Sequence, residues 1–320
     1  MRVGFLVVAA VFLIVGQTMS AARAADKFEV GLLGSANSAE WPWYIAEDKG
    51  FLAQAGLAPE FIYVPTPSGL MQQLAAGSLD IVEIGVVEPI HAIARGAPVA
   101  ILRIVGAVPP YEMVANVKTV KELKGKTVVI GGLLDINRVY LERIMKANGL
   151  HDGDYDITTV GNTPGRFAAL TSGAADATML AAPYNFFAEK AGFHNVGLIV
   201  DYAKDLPFGS TDVSLAYAKD HHDVLVRLLG ALEKSCAWFN DVANRDGAID
   251  IMLKAMNSNR REDVALGYDH MHRIAYFDPK GAVSGKQMQT IMSEMKAIGD
   301  TLEDVPVAKL TVPGVTPTAD

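Results

Sequence analysis

EFIYVPTPSGLMQQLAAGSLDIVEIGVVEPIHAIARG (residues 60–96) and DITTVGNTPGRFAALTSGAADATMLAAPYNFFAEKAG (residues 156–192) lie 96 residues apart and align without a gap. Val64, Gly69, Leu74, Gly77, Asp80, Ala92 and Gly96 of the first recur as Val160, Gly165, Leu170, Gly173, Asp176, Ala188 and Gly192 of the second. The repeated types fall where a strand, helix, strand unit needs them. Thr66-Pro67 and Thr163-Pro164 each predict a helix start, with a hydroxyl to cap orphan amides and a proline where no amide hydrogen is required. Gly77 and Gly173 then close those helices in the left-handed conformation, and Asp80 or Asp176 opens the next apolar run. Two α/β lobes of one design follow, and two such lobes facing each other leave a cleft suited to a small ligand.

Outward from the repeat, residues 28–33 predict a first strand, 43–54 a helix containing Gly50, 59–64 a second strand and 99–105 a further one. Residues 112–117 are expected to cross into a second lobe. That lobe opens with a strand over 127–130 and a helix over 136–148, capped by Asp135 and ended by Gly149. It ends near Asp212, and residues 213–217 are expected to cross back. Beyond His221 the pattern turns helical, over 224–242, 247–256, 261–272 and 286–299. In the first of these Leu225, Leu228, Leu229, Leu232, Cys236 and Phe239 form one buried face. The tail, 312–320, has no apolar period and is expected to be an extended strap or disordered. The expected division is 1–24 signal, 25–116 first lobe, 117–212 second lobe, and 213–320 the C-terminal part of the first lobe.

Arg2, an apolar run over residues 3–15 and Ala22-Arg23-Ala24 have the order of a secretory signal cut after Ala24. The run is too short to cross a bilayer. The single cysteine, Cys236, leaves no lipid-attachment cysteine in that signal and allows no internal disulfide. This predicts a periplasmic protein. Without Arg2 and Arg23 the chain has 26 basic against 36 acidic residues, so nucleic acid is not an expected partner.

Further residues carry a resemblance. Pro42-Trp43-Tyr44-Ile45-Ala46 through Lys49-Gly50-Phe51, then Leu74, Gly77 and Asp80 with their echo at Arg166, Leu170, Gly173 and Asp176, then Pro183 and Ala191-Gly192-Phe193, and finally Asp223, Leu225 and Val226 running to Ala237-Trp238 occur in a telling order. This order is similar to that of the periplasmic solute-binding proteins of ABC importers in the nitrate, sulfonate and taurine class, which includes a branch binding pyrimidine precursors of thiamine. The resemblance implies a type II periplasmic binding protein fold: two α/β lobes joined by two crossing strands, closing on one small solute. It implies a transient membrane complex with a permease and its ATPase, a monomer, no cofactor and no catalysis. The rivals are a solute-binding subunit of a sodium-coupled tripartite transporter and a pyrimidine-synthase-like enzyme, although those synthases carry a cysteine-rich motif absent here. Where the family often has Gly-Ser or Ser-Thr, this chain has Gly132-Leu133-Leu134. That favours a larger, partly apolar or aromatic solute, with a carboxylate or sulfonate still allowed.

Ligands of α/β sheets sit beyond the carboxyl ends of the strands. The loops to watch are 34–43, 65–69, 85–88, 131–138, 161–166 and 181–184, and they supply Pro65, Ser68, Val86, Leu133 and Pro183. Trp41 and Trp43 read either as an aromatic wall for the solute or as packing on their own lobe. Asn37 and Ser38 are hydrogen-bonders or caps. Arg138 and Arg166, each in the first turn of a helix, would fork onto an anion if they face the cleft, or pair with an acid such as Asp135. Glu88 and Glu40 would instead suit an amine or ring nitrogen, unless they are helix-stabilising surface groups. Tyr184, Asn162 and Thr163 complete the set. The histidines form no metal-ligand spacing: His270 and His272 are two apart on a helix, and His221-His222 begins one.

Overall fold

The apolar runs of the repeat become strands whose partners are set by their place in it. The computed structural model describes residues 24–319, so the expected signal lies outside the described residues save for Ala24. The chain runs β1 (Asp26–Leu33), α1 (Trp41–Asp48), α2 (Phe51–Gln54), β2 (Leu57–Val64), α3 (Pro67–Ala76), β3 (Ile81–Gly85), α4 (Val87–Ala94) and β4 (Val99–Gly106). It continues with β5 (Tyr111–Ala115), β6 (Thr127–Ile130), α5 (Ile136–Ala147), β7 (Asp156–Thr159), α6 (Thr163–Thr171), β8 (Ala177–Ala181), α7 (Tyr184–Lys190), β9 (His194–Leu198), α8 (Val200–Ala203) and β10 (Gly209–Ser214). The remainder is α9 (Leu215–Asp220), α10 (His222–Asn240), α11 (Arg245–Ala255), α12 (Arg261–Arg273), β11 (Val283–Ser284), α13 (Gly285–Ala297), α14 (Val307–Leu310) and β12 (Thr318–Ala319).

Among the described residues there are two five-stranded sheets, ordered β2-β1-β3-β10-β4 and β7-β6-β8-β5-β9. They have one topology: β1, β2 and β3 pair in parallel as β6, β7 and β8 do, and the strand received from the other lobe enters antiparallel, β10 in the first sheet and β5 in the second. The repeat thus spans β2 to α4 and β7 to α7. Its aspartates have a shared role: Asp80 accepts from the Glu29 amide at 3.0 Å and Asp176 from the Thr127 amide at 2.9 Å, each tying its strand to the neighbouring one. Gly77 and Gly173 are left-handed, with φ of 73° and 76°.

Four local expectations need correction. The cap of α6 is Asn162, whose Oδ1 accepts from the Gly165 amide at 2.8 Å, and Thr163 is the first helical residue; the repeat register puts Asn162, not Thr163, opposite Thr66. Gly50, with φ of 70°, separates α1 from α2 instead of lying inside one helix. The first crossing runs through residues 107–110, a few positions early. The return passes through 204–208, and residues 213–217 are the end of β10 and the start of α9. Phe208 donates to Gly106 O at 2.7 Å, so the two links run side by side.

The large core of the first lobe packs β1, α1 and β4 under α10, α11 and α12, with Leu225, Leu228, Leu232, Cys236 and Phe239 buried as expected and Leu229 packed at the edge. A second core joins β5, β6 and α5 to α4 and α13. Helix α13 touches α5, where Arg143 meets Glu294 at 2.8 Å, and the turn after it places Asp300 at 2.6 Å from His91 on α4. The tail is a strap: Thr316 Oγ1 donates to Ile101 O at 2.9 Å, and β12 pairs with β11.

A buried polar knot ties α12 to the first link. Glu112 on β5 accepts from Asn185 Nδ2 at 2.8 Å and Arg273 Nη2 at 2.7 Å, with His270 Nδ1 at 3.3 Å, while His270 Nε2 sits 2.9 Å from Pro110 O. Burial pushes the Glu112 carboxyl up, but His270, Asn185 and Arg273 together outweigh it and hold the group below its ordinary range. Glu112→Ala leaves these donors without their acceptor and is expected to cost about 3 kcal/mol, read as a lowered urea midpoint. An unchanged midpoint would remove this knot from the account.

Candidate functional site

At the carboxyl end of each sheet a central strand runs into a helix through glycine, and a carboxylate curls back over that glycine. Gly85 ends β3, and a Cβ placed on it would lie 2.6 Å from Glu88 Oε2. Gly131 follows β6, and a Cβ there would lie 2.6 Å from Asp135 Oδ2, 3.1 Å from Asn137 Nδ2 and 3.5 Å from Arg166 Nη1. Only the missing side chain lets these three polar groups converge. Asp135 also caps α5, accepting from the Asn137 amide at 2.7 Å. Burial raises the Glu88 carboxyl to about 7, its own amide pulls it back, and the negative charge of Asp135 adds to the rise. Asp135 is raised as well, by burial, moderated by its bonds from Asn137 and by the charge of Arg166.

The floor is aromatic and hydroxyl-bearing. Tyr111 opens β5 directly after the first link, 6.4 Å ring to ring from Tyr140 on α5 and 5.3 Å from Phe208 on the return link. The Tyr276 hydroxyl fills the space a side chain on Gly106 would take, 2.5 Å from its Cβ position. Burial pushes all three phenols above their ordinary range, so they stay neutral donors and acceptors. Two buried polar atoms here, Asn137 Oδ1 and the Tyr140 hydroxyl, have no hydrogen-bond partner among the described residues. A buried polar atom without a partner costs about 1–3 kcal/mol, so each marks a place where a bound solute or water would be stabilising.

Of the residues singled out from sequence, the structure brings Val86, Glu88, Asp135, Thr163 and Arg166 to this place. Val86 is buried and donates to Phe208 O at 2.9 Å. Arg166, also buried, spends three N–H groups on Met179 O, Gly161 O and Thr163 Oγ1, at 3.2, 3.4 and 3.1 Å, and lies with its guanidinium 5.8 Å from the Tyr111 ring. It pins loop ends more than it offers a free fork.

The structure places the other candidates elsewhere. Trp41 and Trp43 are no aromatic wall: both are fully buried in the first lobe's core. Trp41 donates to Ala248 O at 2.8 Å and packs on Phe239 and Tyr268. Trp43 donates to Glu83 Oε2 at 2.7 Å and packs edge-on to Phe61. Asn37 is a cap, its Oδ1 accepting from the Ala39 amide at 3.0 Å, and Ser38 lies against Gly267 of α12. Glu40 is no surface group but is buried, bonded by Tyr44 at 2.8 Å and by Asn37. Arg138 pairs with Glu142 and Asp152, at 2.7 and 2.6 Å, rather than with Asp135. Tyr184 packs on Phe167 and Phe187 of its own lobe, after the cis Ala182–Pro183 peptide. Pro65, Leu133 and Asn162 stand exposed in their loops and Ser68 stands exposed in the first turn of α3, so Leu133 does not line a dry pocket.

Sequence reasoning missed Tyr111, Asn137, Tyr140 and Tyr276. Asn137 could have been found, since it lies two residues past the Asp135 cap inside a loop already marked. The tyrosines sit in a strand, a helix and a helix-terminal turn, with no local signal that they would meet.

Residues 37–241 match the family described as "NMT1/THI5 like", and the chain belongs to that family. Among solved structures the chain is similar to the periplasmic aliphatic sulphonate binding protein SsuA from Escherichia coli, with TM-score 0.69 and 18% identity over 89% of this chain and 96% of that one. It is also similar to the ligand-binding component of an ABC-type import system from Staphylococcus aureus, with TM-score 0.74 and 16% identity over 90% and 97% of the two chains. The nitrate-binding protein NrtA from Synechocystis matches with TM-score 0.61 and 16% identity over 75% and 69%. These likenesses place the chain in the periplasmic binding protein fold. A search of curated sequences finds no match.

Proposed function

We propose that this protein is the periplasmic substrate-binding component of an ABC importer. It takes one small organic solute between its lobes, closes over it and offers it to a membrane permease and its ATPase. Residues 1–24 would direct export, and the mature chain would act as a monomer without a cofactor. The observation that carries this reading is the pairing of two sheets of identical topology whose strand ends, with both links, converge on one polar floor holding unpartnered buried atoms. Such a floor between hinged lobes is built for capture. Cys236, buried against Arg103 and pushed up by that burial, is not placed as a cleft nucleophile, which supports binding over synthase chemistry.

The test is a thermal-shift screen of residues 25–320, stripped of bound solute, across carboxylates, sulfonates, aromatic acids, pyrimidines and amines. A solute at about 100 times its Kd adds about 2.7 kcal/mol to the folded state and should raise the midpoint by several degrees. Small-angle scattering should then show a decrease in radius of gyration. A folded protein that no class stabilises would overturn the reading. For any solute found, Gly131→Ala is expected to weaken binding tenfold or more at a cost of about 1 kcal/mol in stability, because the new methyl group displaces Asp135 from its place over the glycine and disturbs its cap on α5. Calorimetric titration showing unchanged affinity would take Gly131 and its three neighbours out of the site.

A further inference from the structure

We infer that the solute is an organic cation bearing N–H donors, an amine, amidine or guanidine, held between Glu88 of the first lobe and Asp135 of the second with Asn137 Oδ1 accepting from it. This rests on the reading of the cleft as a solute site and specifies what enters it. The unmet demand at the cleft floor is for donors. Among the described residues no Lys or Arg forms an ion pair with Glu88 or Asp135; Arg166, the nearby cation, gives three of its five N–H groups to Met179, Gly161 and Thr163, and its charge acts on Asp135 alone of the two acids. Asn137 is more than nine-tenths buried, and its unpartnered atom is an acceptor, beside an Asp135 carboxylate that already holds the amide end of the same side chain. The Tyr140 hydroxyl, likewise unpartnered, can accept or donate.

An anion placed here would meet two carboxylates at close range, whereas a cation with several N–H groups satisfies both acids and the orphan oxygen together. The two acids come from opposite lobes, so a bridging cation favours the closed form over the open one. That differential contact is what a closing mechanism requires.

The charged and titratable groups around Glu88 are Asp135 on α5, Asp212 on β10 and Tyr111 on β5, with Arg166 beyond Asp135; His91, one turn along α4, is turned to Asp300. A cation needs Glu88 ionised, and with that carboxyl raised to about 7 its affinity should rise about tenfold between pH 6 and pH 8. An anion would show the opposite slope.

The experiment is calorimetric titration of residues 25–320 with benzamidine, benzylamine and agmatine, and with benzoate and benzenesulfonate as anionic counterparts, at pH 6 and pH 8. Binding of a cationic probe, strengthening with pH, is the expected result. Glu88→Gln should weaken that probe tenfold or more and reduce the pH dependence to what Asp135 contributes, while circular dichroism and the thermal midpoint show a folded chain. Asn137→Ala is a second variant that keeps the test open if Glu88→Gln does not fold. Binding of an anionic probe alone, weakening with pH, would overturn the cationic assignment but leave solute capture standing. Failure of all three cations to bind would likewise overturn it, and solute capture falls only if the wider thermal-shift screen is also silent.

Discussion

Trp41→Ala and Trp43→Ala should each lower the thermal midpoint by about 5–8 °C, through a loss of about 3–5 kcal/mol, while leaving solute affinity unchanged. Both rings are sealed between β1, α1 and the C-terminal helices, so truncation removes apolar contact and opens a cavity that the packed core closes only partly. In Trp41→Ala the lost partners are Phe239, Tyr268 and the Ala248 carbonyl. Trp43→Ala adds a polar penalty: Glu83 Oε1 has no partner, and Oε2 would keep only Thr211 at 3.5 Å. Trp43→Phe should recover part of the packing but not the bond to Glu83. A stable Trp41→Ala protein with tenfold weaker solute binding would return the ring to the cleft and contradict this packing.

Stability should fall as the pH rises from about 5 to 8. Glu40 is raised to about 8 by burial, partly offset by its bond from Tyr44, with the charge of Glu83 raising it further. Glu83 is raised to about 7 by burial, despite Trp43 and Arg103, and Asp212 lies well above its ordinary range for the same reason. These groups hold protons in the folded chain that the unfolded chain releases near 4.5 for the two glutamates and near 3.8 for Asp212. Their contribution is therefore complete below about pH 4.5 and is lost progressively toward pH 8. Glu112 and Asp176, held low in the folded chain, act in the other direction and lose their contribution as the pH falls through the acidic range. A maximum near pH 5 results. Glu40→Gln should flatten the alkaline fall by as much as about 4 kcal/mol, since Gln can still accept from the Asn37 amide while Tyr44 turns its hydroxyl to Tyr63. Urea midpoints for both proteins from pH 5 to pH 8 check this, and a wild-type maximum above pH 7 would contradict it.

Much of the fold was legible because it is written in local chemistry. Pro67 after a capping Thr66, Gly77 and Gly173 past helix ends, and Asp80 and Asp176 before apolar runs act on their nearest neighbours and need no distant partner. The errors have the same logic in reverse. Val213-Ser214-Leu215-Ala216-Tyr217 has strand-like composition throughout, but Ser214 caps α9 by accepting from the Tyr217 amide at 3.2 Å, and this converts the second half to helix. A tryptophan at a helix start carries the same local signature whether it faces a cleft or a core, so Trp41 could not be placed by its neighbours alone.

The sequence by itself determined two α/β lobes and the helical C-terminal addition, because periodicity and capping are properties of short segments; of the loops it marked, 85–88, 131–138 and 161–166 supply residues to the site described above and 34–43, 65–69 and 181–184 do not. Only the tertiary structure decided the site's membership. It sealed the tryptophans inward, turned Arg138 to Glu142 and Asp152, and buried Glu40 and Glu83. It also gathered Tyr111, Asn137, Tyr140 and Tyr276 around Glu88 and Asp135. Which face of an element meets solvent, core or the opposite lobe depends on contacts between residues far apart in the chain, such as Trp41 and Ala248, 207 positions apart, and burial then sets the charge each group can hold.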